Sequence, residues 1–183
     1  MKKTLTAVAV CLSFAAGVYA QGTVDFRNRV TAAGLDAPVS DLTGAKLGNA
    51  TFVANIFYSA TQTGSFTAIP DAAAPFRTGT GAGYWNFGAD FTRAIPGIAA
   101  GSTAWIQVRV WDSTKGADYA TAKAAGSPYG DSNTFQLTLG GAGQPPSVPA
   151  VLAGLQPFAL VPEPSTIVLG MLGAAALLLR RRK

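Results

Sequence analysis

The chain has 183 residues, a formal charge of +5, one cysteine and no histidine. That length holds one domain with targeting segments, and the charge excess is terminal: of 14 Lys and Arg, two open the chain and four close it. Between Gln21 and Leu160 the remaining eight face eight Asp, so the middle is neutral and offers nucleic acid no basic stripe.

The first twenty residues read as a secretory signal. Met1-Lys2-Lys3 is a positive start, Leu5 to Ala16 an apolar stretch, and Val18-Tyr19-Ala20 places small or modest residues where a signal peptidase inspects them. Cleavage is expected after Ala20, leaving Gln21 as the mature N-terminus. An uncleaved anchor is the alternative, but the apolar run is short for a span. Cys11 lies inside this segment, with Val10 where a lipid-attachment site wants a small residue. The mature chain then has no cysteine, no disulfide and only its core packing for stability.

Residues 21–143 read as strands separated by turn residues. Thr23 to Val30 alternates apolar and polar, and a Gly/Asp/Pro-rich loop follows through Gly34, Pro38, Asp41 and Gly44. Ala50 to Tyr58 is a second strand, and Thr63-Gly64-Ser65 turns it toward Phe66–Ile69 as a hairpin partner. Phe76 to Thr78 and Tyr84 to Phe91 are weaker strand candidates among Gly79, Gly81, Gly83 and Gly88. Ala104 to Trp111 is the strongest. Ala117 to Ala125 has helix formers and stops at Gly126, which predicts a short helix pinned to the sheet by Tyr119 and Ala122. Phe135 to Leu139 is another strand, ended by Gly140-Gly141. Many short strands with Gly/Pro punctuation predict an all-β, antiparallel β-sandwich of the jelly-roll kind, followed by a short C-terminal transmembrane helix. The proline-rich stretch 144–160 is expected to begin extended and to close with a strand near Phe158 to Val161.

Chemistry-bearing residues are scarce. With no histidine and no mature cysteine, the common nucleophile–base pairs and most zinc or copper sites are unavailable. Paired aspartates are the one route to a hydrolase. Most of the eight lie within two residues of Gly, Pro, Ser or Asn, where Asp forms turns. Gly79-Thr-Gly-Ala-Gly83 lacks the Gly-Lys-Ser/Thr ending of a phosphate loop, and Asp131-Ser-Asn133 lacks the ligand spacing of a calcium loop. Asn49-Ala-Thr51 matches a glycosylation sequon of low specificity. Neither enzyme activity nor a cofactor is expected.

One strand carries a candidate ligand face. Alternation puts Ala104, Ile106, Val108 and Val110 on one side, and Trp105, Gln107, Arg109 and Trp111 on the other. Two rings about 20 Å apart, at ~3.3 Å per residue, flanking an amide and a cation would suit an extended polysaccharide. The competing reading covers this face with the helix at Ala117 or a loop, makes the rings packing, and pairs Arg109 with Asp112 or Asp118. It is preferred because tryptophan is mostly buried.

The last twenty-three residues hold three pieces in order: Val161-Pro162-Glu163-Pro164-Ser165-Thr166, an uncharged apolar run from Ile167 to Leu179, and Arg180, Arg181, Arg182 and Lys183. The 14 residues Thr166–Leu179 make a helix of about 21 Å against roughly 30 Å of hydrocarbon, a short but feasible span with snorkelling arginines. Together the pieces resemble the PEP-CTERM sorting signal of Gram-negative bacteria. That resemblance implies export by the secretory machinery and transient anchoring with a cytoplasmic C-terminus. It further implies processing by an exosortase, a membrane-embedded protease that recognises Pro162, Glu163 and Pro164, with Arg180 to Lys183 as the cytoplasmic stop. It also implies a non-enzymatic protein of the cell surface or extracellular matrix, in bacteria that make exopolysaccharide. The domain ahead of the tail resembles, more weakly, other passengers of this signal.

Overall fold

A computed structural model of the chain describes residues 21–162, except 71, 87, 143 and 144, together with residue 172. The expected signal segment, Glu163, Pro164, the apolar run but for Leu172, and Arg180, Arg181, Arg182 and Lys183 lie outside the described residues. The elements in chain order are β1 (Gln21–Asp25), β2 (Arg29–Val30), β3 (Leu35–Asp36), β4 (Val39–Ser40), β5 (Phe52–Ser59), β6 (Thr67–Ala68) and β7 (Ala74–Pro75). Then follow β8 (Thr92–Ala99), β9 (Thr103–Asp112), α1 (Tyr119–Ala124), β10 (Tyr129–Asp131), β11 (Phe135–Thr138), β12 (Ala150–Val151) and β13 (Phe158–Ala159). The class is all-β. Among the described residues, no helix is long and apolar enough to cross a membrane.

β9 is the axis of the larger sheet. It pairs with β5 from Phe52↔Asp112 to Ser59↔Trp105, and its other edge takes β10 and β11. β6 and β7 extend the sheet beyond β5. The aliphatic side of β9 is fully buried at Ala104, Ile106, Val108 and Val110. A smaller sheet, in the order β12-β1-β8, turns Val24 and Ile95 inward. Residues of both sheets belong to one hydrophobic cluster with Phe26, Trp85, Leu139 and Leu152.

Three local departures from the expected strands have physical causes. Thr23–Val30 is not one strand. After Asp25 the chain closes on itself, Arg27 N donating to Asp25 O at 2.9 Å. The buried Asn28 then acts as a clamp, its Nδ2 donating to Ala37 O and Gly83 O, both at 2.9 Å. β8 was not expected at all, because Pro96 and Gly97 interrupt it. It is an outer strand, where proline is tolerated. Gly97 has φ 73° where the register against β1 jumps from Ile95 to Ala99. Tyr84 to Phe91, expected as a strand, contributes an isolated bridge, Phe76↔Trp85, and its tryptophan plugs the core.

The pairing is not wholly antiparallel. β12 runs parallel to β1, and β13 parallel to β4. Both belong to the stretch after Gly141, which first folds back in an antiparallel bridge, Gly141↔Ser147, and then crosses the domain, and a crossover is what parallel pairing requires. Leu152, Leu155 and Leu160 are buried along it. Among the described residues the last one paired is Val161, exchanging bonds with Tyr129 at 2.7 and 3.3 Å.

Candidate functional site

The face of β9 that points away from the core is crossed by α1. Asp118 starts this helix, its carboxylate accepting from Thr121 N and Thr121 Oγ1 at 2.9 Å each. At the other end Gly126 adopts φ 86°, and Gly126 N and Ser127 N close onto Lys123 O and Ala122 O. The stop expected at Gly126 is where the helix ends. Between these caps Tyr119 and Ala122 are buried against the sheet.

Tyr119 is the centre of that contact. Its ring meets Phe57, Trp111 and Tyr129 edge-on, with centroids 5.8, 6.2 and 5.9 Å apart. Its hydroxyl donates to Asp131 Oδ2 at 2.9 Å. Burial, and then the neighbouring Asp131 charge, raise the Tyr119 hydroxyl well above the usual phenol range, so it stays a donor.

The four predicted ligand-face residues have separate fates. Trp111 is only 2% exposed, and its indole N–H donates to Gly116 O at 3.2 Å. Arg109 is half-buried and held by several partners. Its Nε donates to Gln107 Oε1 at 2.9 Å, lies 3.6 Å from Asp131 Oδ1, and the guanidinium sits 4.3 Å from the Phe57 ring centre. Gln107 Nε2 donates to Ser132 O at 3.2 Å. Trp105 stays half-buried at the opposite end of the strand. One ring reaches solvent and the other is covered, so this face has no two-ring platform for an extended polymer.

The expected partner of Arg109 needs correction. It is Asp131 rather than Asp112 or Asp118, because β10 places Asp131 directly across the strand pair from Arg109. Asp112 instead accepts from Thr114 N at 3.0 Å, and Asp118 caps α1. Phe57, Tyr129 and Asp131 had no sequence signal, since each arrives by cross-strand placement from another segment.

A hollow of about 550 Å³ lies between α1 and the β6–β7 connection, lined by Phe57, Phe66, Pro70, Arg109 and Trp111. Asn55 at its wall is already bonded, Nδ2 to Ile69 O at 2.9 Å and Oδ1 from Ile56 N at 2.7 Å. Asp41, Asp90 and Asp112 each accept from the backbone N–H two residues on, which is turn chemistry. Asp25 pairs with Arg27 and Asp36 accepts from the Tyr84 hydroxyl.

The Asp118 cap makes a pH prediction. Hydrogen bonds from the Thr121 backbone and side chain hold its carboxyl below the usual range. The folded value is depressed, so the stabilisation is complete above the unfolded value near ~4 and disappears as pH falls through the folded value. Asp118→Ala is therefore expected to lower the melting temperature at neutral pH and to converge on the parent in acid. A gap that stays constant across the titration would refute the charged cap.

At the chain's exit, Val161 and Pro162 are exposed. Pro162 thus stands one residue past the last backbone pair of the domain. Residues 160–183 match the family model described as the PEP-CTERM protein-sorting motif. Comparison with curated proteins and with solved structures gives no match.

Proposed function

We propose that the chain, which carries a PEP-CTERM sorting motif over residues 160–183, is an exported, non-enzymatic surface or matrix protein built on a β-sandwich domain. The match of the sorting motif is the observation that carries this. It supports export, membrane anchoring and processing by an exosortase. In this reading signal peptidase cuts after Ala20, the run Ile167 to Leu179 anchors the tail, and Arg180, Arg181, Arg182 and Lys183 stop it in the cytoplasm.

The physical chemistry of the tail suits a temporary hold. Seven Ile, Val and Leu residues in Ile167–Leu179 favour insertion by roughly 0.3 to 0.6 kcal/mol each, about 2 to 4 in all. Pro162 and Pro164 each fix φ and remove an amide donor, which reduces the conformational freedom a protease would have to restrict around Glu163. The non-enzymatic part rests on the described aspartates, which are engaged in turns, a helix cap and local pairs.

Fractionation with intact-mass measurement, in cells with and without the exosortase, tests the proposal. The parent chain is expected to end before Lys183 only where the enzyme is present. Replacing Pro162, Glu163 and Pro164 together by alanine is expected to keep the chain at full C-terminal length in the membrane. A parent product still ending at Lys183 beside an active exosortase overturns the reading.

A further inference from the structure

The ten residues of β9 set two poles about 30 Å apart, at ~3.3 Å per residue. At its start, Thr103 pairs with Thr138, Gly101 N donates to Leu139 O, and Gly140 bonds with Thr23. Gln21 and Val148 gather at this pole, Gln21 opposite Ala99 and Val148 against Gly140. At its end, Asp112 pairs with Phe52 and Trp111 with Tyr129. Tyr129 holds Val161, so the chain leaves the domain at the second pole.

A groove of about 460 Å³ opens beside that exit, lined by Leu42, Leu47, Phe52, Pro128 and Leu160. Two large apolar side chains stand at the surface there, Leu42 at 50% exposure and Val161 at 43%. Leu42 sits in a tied loop, because Asp41 Oδ1 accepts from Thr43 N at 2.8 Å and Ala45 N at 3.1 Å. Leu42 and Val161 beside an apolar groove give this pole the kind of surface that marks an interaction site.

The length of the tether says what covers it. Between Val161 and the apolar run at Ile167 lie residues 162–166, so the two ends are at most about 22 Å apart when fully extended. Any bilayer holding that run is therefore close to this pole, and farther from the pole of Gln21 and Val148. Resting on the anchoring proposed above, we infer that the pole around Leu42, Phe52, Pro128 and Leu160 lies against the lipid surface. Leu42 and Val161 reach the boundary of headgroups and acyl chains, and the start of β9, at Thr103, is turned away from the membrane.

The chain from Gln21 to Lys183 contains no cysteine, so it accepts single labels without interference. That chain carrying L42C, V161C or V148C would be tagged with bimane and reconstituted in phosphatidylethanolamine/phosphatidylglycerol vesicles with brominated acyl chains. Leu42→Cys and Val161→Cys are expected to lose about half of their emission, as for side chains at the headgroup/acyl boundary. Val148, 83% exposed at the far pole, marks the control, and Val148→Cys should keep its emission. Protein that floats with the vesicles while Leu42→Cys and Val161→Cys stay bright overturns the inference, as does equal quenching at all three sites. Protein that fails to float overturns the anchoring itself.

Discussion

Trp85→Ala is expected to lower the unfolding free energy by about 4 kcal/mol, the middle of the usual range for deleting a large buried aromatic. Trp85 is fully buried, with its ring 5.0 Å from that of Phe26 and 6.0 Å from that of Phe76. Its indole N–H donates to Phe26 O at 2.9 Å. Alanine leaves a cavity at the junction of three segments and orphans that carbonyl. Trp85→Phe separates the two effects: most of the ring volume stays, while the donor is lost, at a cost of about 1 to 3 kcal/mol. Urea midpoints at unchanged slope measure both. If the two variants unfold at the same midpoint, volume contributes nothing beyond the bond and the core assignment of Trp85 fails. The consequence for function is direct. With one cysteine the chain can form no internal disulfide, so the domain rests on such packing.

Trp85 also shows what was legible in the sequence and what was not. Its neighbourhood read as a weak strand, because alternation is a local signal and glycines on either side blur it. The burial comes from Phe26 and Phe76, which reach Trp85 only through the fold. β9 is the opposite case. Strict alternation from Ala104 to Val110 identifies a core face without outside help, and those residues are buried. Its outer face was ambiguous for a physical reason: whether Trp105 and Trp111 meet solvent depends on where α1 lands. Helix composition and Gly126 foretold that α1 exists, and Tyr119 that it docks. Phe57 and Asp131, which complete the docking site, come from β5 and β10 by register alone. Parallel pairing by β12 and β13 was likewise hidden, since two-residue strands carry no periodicity.

Gly140→Ala is expected to destabilise the domain by about 3 kcal/mol, the overpacking of a site whose neighbours cannot yield. A Cβ on Gly140 would come 1.8 Å from Val148 O and 3.0 Å from Pro149 Cα, both backbone atoms. Neither side can move cheaply. Gly140 is held by Thr23, exchanging bonds at 2.8 and 3.0 Å, and Gly141 pairs with Ser147 at 3.0 and 2.9 Å. Pro149 stiffens the facing strand by fixing φ. Gly34→Ala is the matched comparison. Gly34 has φ 70° but open space for a Cβ, so backbone strain alone applies, roughly 1 kcal/mol. Denaturant midpoints should rank Gly140→Ala well below Gly34→Ala, and limited proteolysis should cut Gly140→Ala first in residues 142–149. Equal midpoints would mean that this segment does not rest on Gly140. The outcome bears on the exit pole as well. If residues 142–149 come loose while Leu155 and Leu160 stay buried, β13 and Val161 hold the tail in place by themselves, and the short tether to the membrane survives.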